Sequence, residues 1–489
     1  METAINLPET SAPSRKILVS PDSRHIPHSV PLLNQWQYVE RTIHRLLAAW
    51  GRHMSDWDGK ATLHRHVWDQ AEIIRRIRTR IAQFPGGKPD APVSSLLANL
   101  ADTALLAPCF EDALDGIYKY ILQGQTKAYV EYVQNAHPVH DGPSLSLFHE
   151  INTIKEQHFF WYRSYRRQFP HTTDRTYEQA LQRALSEAGA LQSILPLAEG
   201  STIPCRPTES FQLPQVSRRP AGWAPNFDIY PYFSADFANN IESRRLFWGT
   251  AYLQEMNLPD DQLAWLYYGD YMPWDWHYDI SRHLWDESRH GCSGYSRLQD
   301  WGISLHDVGF HLYHGEHLRR HPEGTPLVKR MIKPYVDEAR ADFSRPMTAL
   351  TPDSIYQAVF HVGMVAESGH FIVKNEGYDD FRAVQDLESA EMMLFDIIDE
   401  TAHVQYAHRW LPLLAEHAKI DNSDYRARAV QERKRLQEHE IAFIKEAESL
   451  PRNLSFGPWR HYQDLLAKVR QACPILDSAN HRPRSIKPM

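Results

Sequence analysis

Residues 394–414, LFDIIDETAHVQYAHRWLPLL, combine a helical apolar pattern with Glu400 and His403. The apolar positions that predict a largely buried helix are Leu394, Ile397, Ile398, Val404 and Leu411. A carboxylate and an imidazole are costly to bury in such a helix unless something neutralises them. A bound metal pair would do so, and the stretch therefore predicts a helix that binds metal.

The same pairing of glutamate and histidine occurs three times in the second half of the chain. The tetrads are Glu287-Ser-Arg-His290, Glu367-Ser-Gly-His370 and Glu400-Thr-Ala-His403. Residues three apart lie on one face of a helix, so both side chains of a tetrad can reach one ion. The chain has 27 histidines, and a lone tetrad would mean little. Three tetrads inside apolar helical segments indicate a di-metal site of the four-helix carboxylate type.

An aspartate stands immediately before two of these glutamates. Asp286 precedes Glu287, and Asp399 precedes Glu400. Metal-bound histidines usually donate their second N–H to a carboxylate. In an antiparallel bundle Asp286 could therefore orient His403, and Asp399 could orient His290. Simple surface exposure of both aspartates is the alternative.

The periodicity predicts an all-α protein, with a proline-rich connector between two helical regions. Helices are predicted over 31–53, 60–83, 111–135, 144–167, 175–192 and 423–450. The predicted organisation is a flexible arm (1–28), a helical N-terminal region (29–192), the connector (193–235), a di-metal domain (236–417) and charged C-terminal helices with a tail (418–489).

Two stretches carry a resemblance to a known family. WDESRHGCSGYSRLQDWG (285–302) and FDIIDETAHVQYAHRWLP (395–412) resemble the two ligand helices of ferritin-like diiron proteins. With the Glu367 helix they look most like the ferritin-like domain-of-unknown-function family that is related to tRNA-hydroxylating diiron enzymes. The resemblance covers about 236–417. It implies a ferritin-like four-helix bundle and a diiron centre, but no substrate. With the periodicity of 29–192, the expected fold is a ferritin-like four-helix bundle with an additional helical N-terminal region.

The resemblance also implies a ligand set. Glu287 and His290 would come from the second bundle helix, Glu367 from the third, and Glu400 and His403 from the fourth. His370 departs from the pattern, because the third helix usually supplies only its glutamate. It stays open whether His370 is an extra ligand, as in the ferritin-like N-oxygenases, or a group outside the ligand set.

The ligand from the first bundle helix is either Glu242 or Glu255. Glu255 precedes Glu287 by nearly the spacing that separates Glu367 from Glu400, but it lies close to Pro259. Glu242 is about four turns before that proline, and Glu287 is about four turns after Pro273, which would place the two level in an antiparallel pair. We expect Glu242, with 258–272 as an inserted segment.

The composition of the chain argues against several other classes of protein. The net charge of −8 argues against nucleic acid as the main partner. Four widely separated cysteines without a CxxC pair do not predict a disulfide framework, and a reducing compartment is expected. An apolar leader and a stretch long enough to span a membrane are both lacking in the sequence, so we expect a cytoplasmic protein without a membrane partner.

The expected function is that of an oxidoreductase that uses O2 and two Fe ions, or an Fe/Mn pair, on a small-molecule substrate. An external electron donor and a homo-oligomer are compatible with this hypothesis. Apolar neighbours of the ligands are expected to exclude water: Val365, Phe371, Ile397 and Ile398. The alternatives are a ferritin-like metal-binding or peroxide-scavenging protein, and a helical interaction protein with a structural metal site.

Overall fold

The computed structural model describes most of the two helical regions. The described residues are 29–197, 211–215, 217–219, 240–308, 347–447 and 462–473. Within these ranges the chain is all-helical and contains no β-strand. None of the described helices is long and apolar enough to cross a membrane. The predicted arm, most of the connector and the tail lie outside the described residues.

The N-terminal region contains seven α-helices and one π-helix among the described residues. They are α1 (Ser29–Trp50), α2 (Trp57–Ala82), α3 (Ser95–Leu105), α4 (Phe110–Leu114), π1 (Asp115–Leu122), α5 (Gln123–Asn135), α6 (Gly142–Gln168) and α7 (Arg175–Glu187). The predicted helices are present. The short α3 was missed, because it follows the proline- and glycine-rich stretch 85–92. The Ser94 side chain caps α3 by accepting from the Leu96 N–H.

The second region contains the segments that carry the predicted ligands. They are α8 (Ile241–Glu255), α9 (Asn257–Tyr268), α10 (Trp274–Asp300), α11 (Leu305–Val308), α12 (Pro352–Val359), π2 (Phe360–Glu367), α13 (Ser368–Ala383), α14 (Leu387–Ala418), α15 (Tyr425–Ala447) and α16 (Tyr462–Ala472). The expected insertion at 258–272 is mostly helical. The predicted charged helix at 423–450 corresponds to α15.

Four long helical segments surround the predicted ligands. Helix α8 packs along α10, α13 packs along α14, and α10 also contacts α14. Helices α12, π2 and α13 follow one another without a break and form one of the four segments. Asn240 caps α8, and Asp386 caps α14 by accepting from the Ser389 N–H. These caps fix where two of the four segments begin.

The N-terminal helices share a hydrophobic core with the second region. One continuous cluster of buried side chains runs from Leu33 and Trp36 on α1 to Trp276 on α10 and Leu414 on α14. Helix α2 packs on α10, so the N-terminal region covers a ligand-bearing helix. The two predicted regions are therefore joined by apolar packing as well as by the connector.

Candidate metal centre

Two helices present the same pattern of potential ligands on one face. Helix α10 carries His283, Glu287 and His290, and α14 carries Asp396, Glu400 and His403. Spacings of four and three residues bring each trio into line along its helix. All six side chains are buried, with at most 4% of any residue exposed.

The first group of donor atoms lies between α10, π2 and α14. His283 Nε2 is 2.8 Å from Glu367 Oε1 and 3.3 Å from Glu287 Oε1. His403 Nδ1 is 3.3 Å from the same Glu287 oxygen and 3.5 Å from Glu367 Oε1. We call this group, made of His283, Glu287, Glu367 and His403, position A.

The second group lies between α8, α10 and α14. His290 Nδ1 is 3.2 Å from Glu255 Oε2, 3.3 Å from Asp396 Oδ1 and 3.7 Å from Glu287 Oε2. Glu400 also places an oxygen within reach of Glu287 and His290. We call this group position B. Its members are Glu255, Glu287, His290, Asp396 and Glu400.

Glu287 belongs to both positions. Its Oε1 faces His283 and His403, and its Oε2 faces His290. Ligands bound at about 2.1 Å to one ion and at right angles to each other lie about 3 Å apart. The N···O separations given above for the two positions run from 2.8 to 3.7 Å, which is near that value. The arrangement therefore fits two ions bridged by the Glu287 carboxylate.

The second ring nitrogen of two histidines meets an aspartate on the opposite helix. His403 Nε2 is 3.3 Å from Asp286 Oδ2, and His290 Nε2 is 3.3 Å from Asp399 Oδ2. This crossed arrangement matches the one expected from the sequence. Arg282 and Arg289 both pair with the two aspartates, so two positive charges balance the two carboxylates on the outer side. Nδ1 of each histidine is thereby directed inward.

The inward-facing atoms approach one another at ion-pair distances, but none of them makes a hydrogen bond of good geometry with a described residue. They are His283 Nε2, Glu287 Oε1, His290 Nδ1, His403 Nδ1, both oxygens of Glu367, Glu255 Oε2, Asp396 Oδ1 and Glu400 Oε2. Buried polar atoms are almost always hydrogen-bonded, so nine such atoms around one centre need an explanation. Coordination to metal ions would satisfy all of them at once.

The charges at the centre also call for a cation. Burial raises the pKa of Glu255 to about 7, although Lys374 opposes that shift. Burial likewise raises the pKa of Glu400 well above its ordinary value. Burial would lower the pKa of His403, but Asp286, Glu287 and Glu367 raise it well above its ordinary value. The carboxylates thus draw protons onto themselves and onto the histidine unless another cation neutralises them.

The structure brings Glu255, not Glu242, to the centre. Glycines on α10 set this register, because a Cβ on Gly294 would lie 2.4 Å from the Leu253 nitrogen and one on Gly291 would lie 3.0 Å from the Met256 nitrogen. The close approach places the end of α8 beside His290. Glu242 is 13 residues away, about 20 Å along the helix, and its carboxylate lies 3.6 Å from Arg470.

His370 also lies away from the centre. It is exposed and belongs to none of the donor groups found among the described residues. The tetrad splits because Glu367 points inward from the last residue of π2, whereas His370 follows on the outer side of α13. Only the glutamate of this tetrad joins position A.

Three residues at the centre were not among those expected. His283 and Asp396 each precede a ligand glutamate by four residues, so helical spacing alone could have indicated them. Lys374 follows Glu367 by seven residues, or about two turns, and lies on the same face. Its Nζ is 2.7 Å from Asp396 Oδ2 and 2.8 Å from Glu400 Oε1. The neighbours of this lysine in the sequence, VKNEGYDD, are mostly polar and are typical of a solvent-exposed helix face, so it was not expected at the centre.

The expected apolar wall is only partly present. Val365 is buried, but Ile398 is 62% exposed, and Phe371 and Ile397 are half-buried. Helix α14 is therefore buried on its ligand face and open on the opposite face. Because Asp396, Glu400 and His403 define the buried face, Ile398 lies on the other side of the helix. The prediction of a largely buried helix was wrong on this point.

A further group of potential ligands lies in the N-terminal region. Cys109 Sγ is 3.3 Å from Asp112 Oδ2, and His171 Nε2 is 2.8 Å from Asp112 Oδ1. Here the thiol and the imidazole are both bonded to the aspartate, and His171 is partly exposed. The hydrogen bonds account for this group without an ion, unlike those at positions A and B.

Comparison of the chain with protein-family models, with curated proteins and with solved structures finds no match.

Proposed function

We propose that the chain holds two transition-metal ions in a ferritin-like four-helix bundle and acts as an O2-dependent oxidoreductase on a small-molecule substrate. The observation that carries this proposal is the position of Glu287, whose two oxygens face different histidines. Such a carboxylate can bridge two ions.

The ligand arrangement supports the ferritin-like bundle. In di-metal bundles of this type two helices each give one glutamate, and the other two each give a Glu-x-x-His pair. Here α8 and π2 give Glu255 and Glu367. The pairs are Glu287 with His290 and Glu400 with His403. With Glu255 in place of Glu242, all four helices contribute a ligand of the required type.

The donor set favours iron or manganese. Five carboxylates and three histidines surround the two positions, and the described ligands include no thiolate. Oxygen-rich sites suit iron and manganese, whereas structural zinc sites contain mainly cysteine and histidine. Two bound irons would supply the redox chemistry that protein side chains lack. Aspartates 286 and 399 would keep His403 and His290 oriented toward the ions.

Charge balance supports two divalent ions in particular. The five carboxylates at positions A and B are Glu255, Glu287, Glu367, Asp396 and Glu400. Lys374 neutralises one of these negative charges, and two divalent ions would neutralise the remaining four. A single divalent ion would leave two uncompensated charges in a buried site, which is energetically costly.

Reaction of the ferrous protein with O2 tests the proposed activity. The chain is reconstituted with Fe2+ without oxygen, its iron content is measured, and it is mixed with O2 in a stopped-flow instrument. We expect a near-UV absorption of an oxidised dinuclear centre. His149→Ala, which alters an exposed histidine in the second turn of α6, serves as the matched control and should react like the wild type.

The same experiment separates the alternatives. If two irons are bound and the spectrum stays unchanged over minutes, the oxidoreductase proposal fails and a structural metal site is the better account. If the protein oxidises its ferrous iron and retains many more than two irons per chain, a storage function is the better account.

A further inference from the structure

Lys374 is a buried cation inside the candidate centre. Its side chain is 2% exposed and reaches inward from α13 to Asp396 and Glu400. The ammonium also lies over the ring of Tyr252, 5.8 Å from its centroid. A buried lysine is costly unless it is paired, and here both partners are residues of position B.

The two metal positions differ in their own charge. Position A has the carboxylates of Glu287 and Glu367 with two histidines. Position B has three further carboxylates and a single histidine, His290. If Glu287 is assigned to position A, the contact with Lys374 reduces the net charge of position B from three negative charges to two. Each position then matches one divalent ion.

Lys374 also bonds only one of the two carboxylate oxygens of each partner. Asp396 Oδ2 accepts from Lys374 and from the Tyr252 hydroxyl, at 2.7 Å in both cases. Asp396 Oδ1 faces His290 and has no hydrogen-bond partner among the described residues. Glu400 likewise presents Oε1 to Lys374 and keeps Oε2 free of hydrogen bonds within the described chain. Each carboxylate is left with one oxygen for an ion.

We propose that Lys374 is a positioning residue that weakens metal binding at position B and determines which carboxylate oxygens are available to the ion. Its charge lowers the affinity of that position for cations, and its hydrogen bonds hold Asp396 and Glu400 as single-oxygen ligands. Lys374 occupies one oxygen on each of two position B carboxylates, and no lysine among the described residues contacts the carboxylates of position A, so position A fills first and position B second. This inference rests on the proposed dinuclear centre and adds an order of loading and a cause for it.

Equilibrium binding of Mn2+ to the metal-free full-length chain tests the inference. Free Mn2+ is measured by EPR at pH 7.5, without oxygen, for wild type and Lys374→Met. We expect the wild type to bind two ions, the second more weakly. The Met variant should bind the second ion about tenfold more tightly or better, since a positive charge has been removed beside it.

Two further variants separate charge from structural damage. Lys374→Arg keeps the charge and should retain the weak second site. Lys155→Met removes another fully buried lysine, which pairs with Glu40 in the N-terminal region, and should leave both Mn2+ constants unchanged. If Lys374 had only a structural role, Lys374→Met would bind the second Mn2+ ion more weakly. The direction of the change therefore decides between the two roles. Lys374→Gln, which keeps a hydrogen-bond donor, carries the same expectation if the Met variant does not fold.

The outcomes are distinguishable from those of the proposed function. If the wild type binds two ions and removal of Lys374 leaves the second constant unchanged or weakens it, the inference is overturned and the dinuclear centre stands. If the wild type binds fewer than two ions, the centre itself is overturned and the inference falls with it.

Discussion

Asp286 on α10 lies 3.3 Å from Nε2 of His403 on α14, although 117 residues separate them in the chain. The contact aligns the imidazole so that Nδ1 faces Glu287 and Glu367. Two arginines, Arg282 and Arg289, bond the same aspartate from outside. One carboxylate thus connects two partly exposed arginines to position A.

Asp286→Asn should weaken metal binding at position A by about 10- to 100-fold, because the amide no longer fixes the histidine as strongly. Competition with a chelator of known affinity measures the change. Asp300→Asn alters a half-exposed aspartate on the same helix and should retain wild-type affinity. Equal affinities in both variants would show that the Asp286 contact does not support a metal ligand.

Glu255→Gln should remove the second ion, whereas Glu242→Gln should leave both. The physical reason is that Glu255 faces His290, while Glu242 lies near Arg470 at the other end of α8. Metal content after dialysis measures the difference. Loss of metal in the Glu242 variant, with full content in the Glu255 variant, would contradict the register of α8 against α10.

These two glutamates show where sequence reasoning reached its limit. The tetrads at 287 and 400 could be recognised because helical spacing is a local property. The choice between Glu242 and Glu255 depended on the register of two helices, and that register follows from contacts of Gly291 and Gly294 with α8. The expectation that 258–272 is an inserted segment placed Glu242 level with Glu287. In the structure 258–272 is mostly helical, and Glu255 lies beside His290.

Lys374 could not be predicted for a different reason. Its polar neighbours in the sequence are typical of a solvated helix face, and only the packing of α13 on α14 buries its ammonium. By contrast, the all-α class followed from periodicity over many long segments, a signal that does not depend on how the helices pair.

Gly294→Ala should lower the free energy of unfolding by about 2 kcal/mol, because the added methyl would meet the backbone of Leu253 and Gly249. Separation of α8 from α10 should also weaken the second metal position. Urea unfolding, followed by circular dichroism, measures the first effect. Gly142→Ala is the matched control, since a Cβ there meets nothing within 4 Å. A Gly294 variant as stable as this control would argue against the close helix contact.

His44 gives a prediction on pH. Burial, together with Arg41 and Arg45, lowers its pKa from 6.5 to about 3. The unfolded chain therefore binds a proton below pH 6.5 that the folded chain excludes. The resulting stability is fully present above pH 6.5 and declines as the pH falls toward 3. Between pH 6.5 and pH 5 the loss is about 2 kcal/mol from this histidine.

His44→Gln should make the free energy of unfolding less dependent on pH over that range, by about one proton. The side chain of His44 lies 2.8 Å from the Ser281 hydroxyl, and glutamine can keep a hydrogen bond there. Urea midpoints at several pH values between 5 and 6.5 give the slope. An unchanged slope in the variant would mean that His44 is already protonated in the folded chain.

The iron content of the full-length chain tests the central claim most directly. The chain is stripped of metal, reconstituted with excess Fe2+ without oxygen, freed of unbound iron and analysed for iron and protein. The bridging position of Glu287 between His290 and His403 predicts two irons per chain in the wild type and a clear loss in Glu287→Ala. A wild-type chain that cannot be loaded, or a Glu287→Ala variant that still holds two irons, would contradict the dinuclear centre.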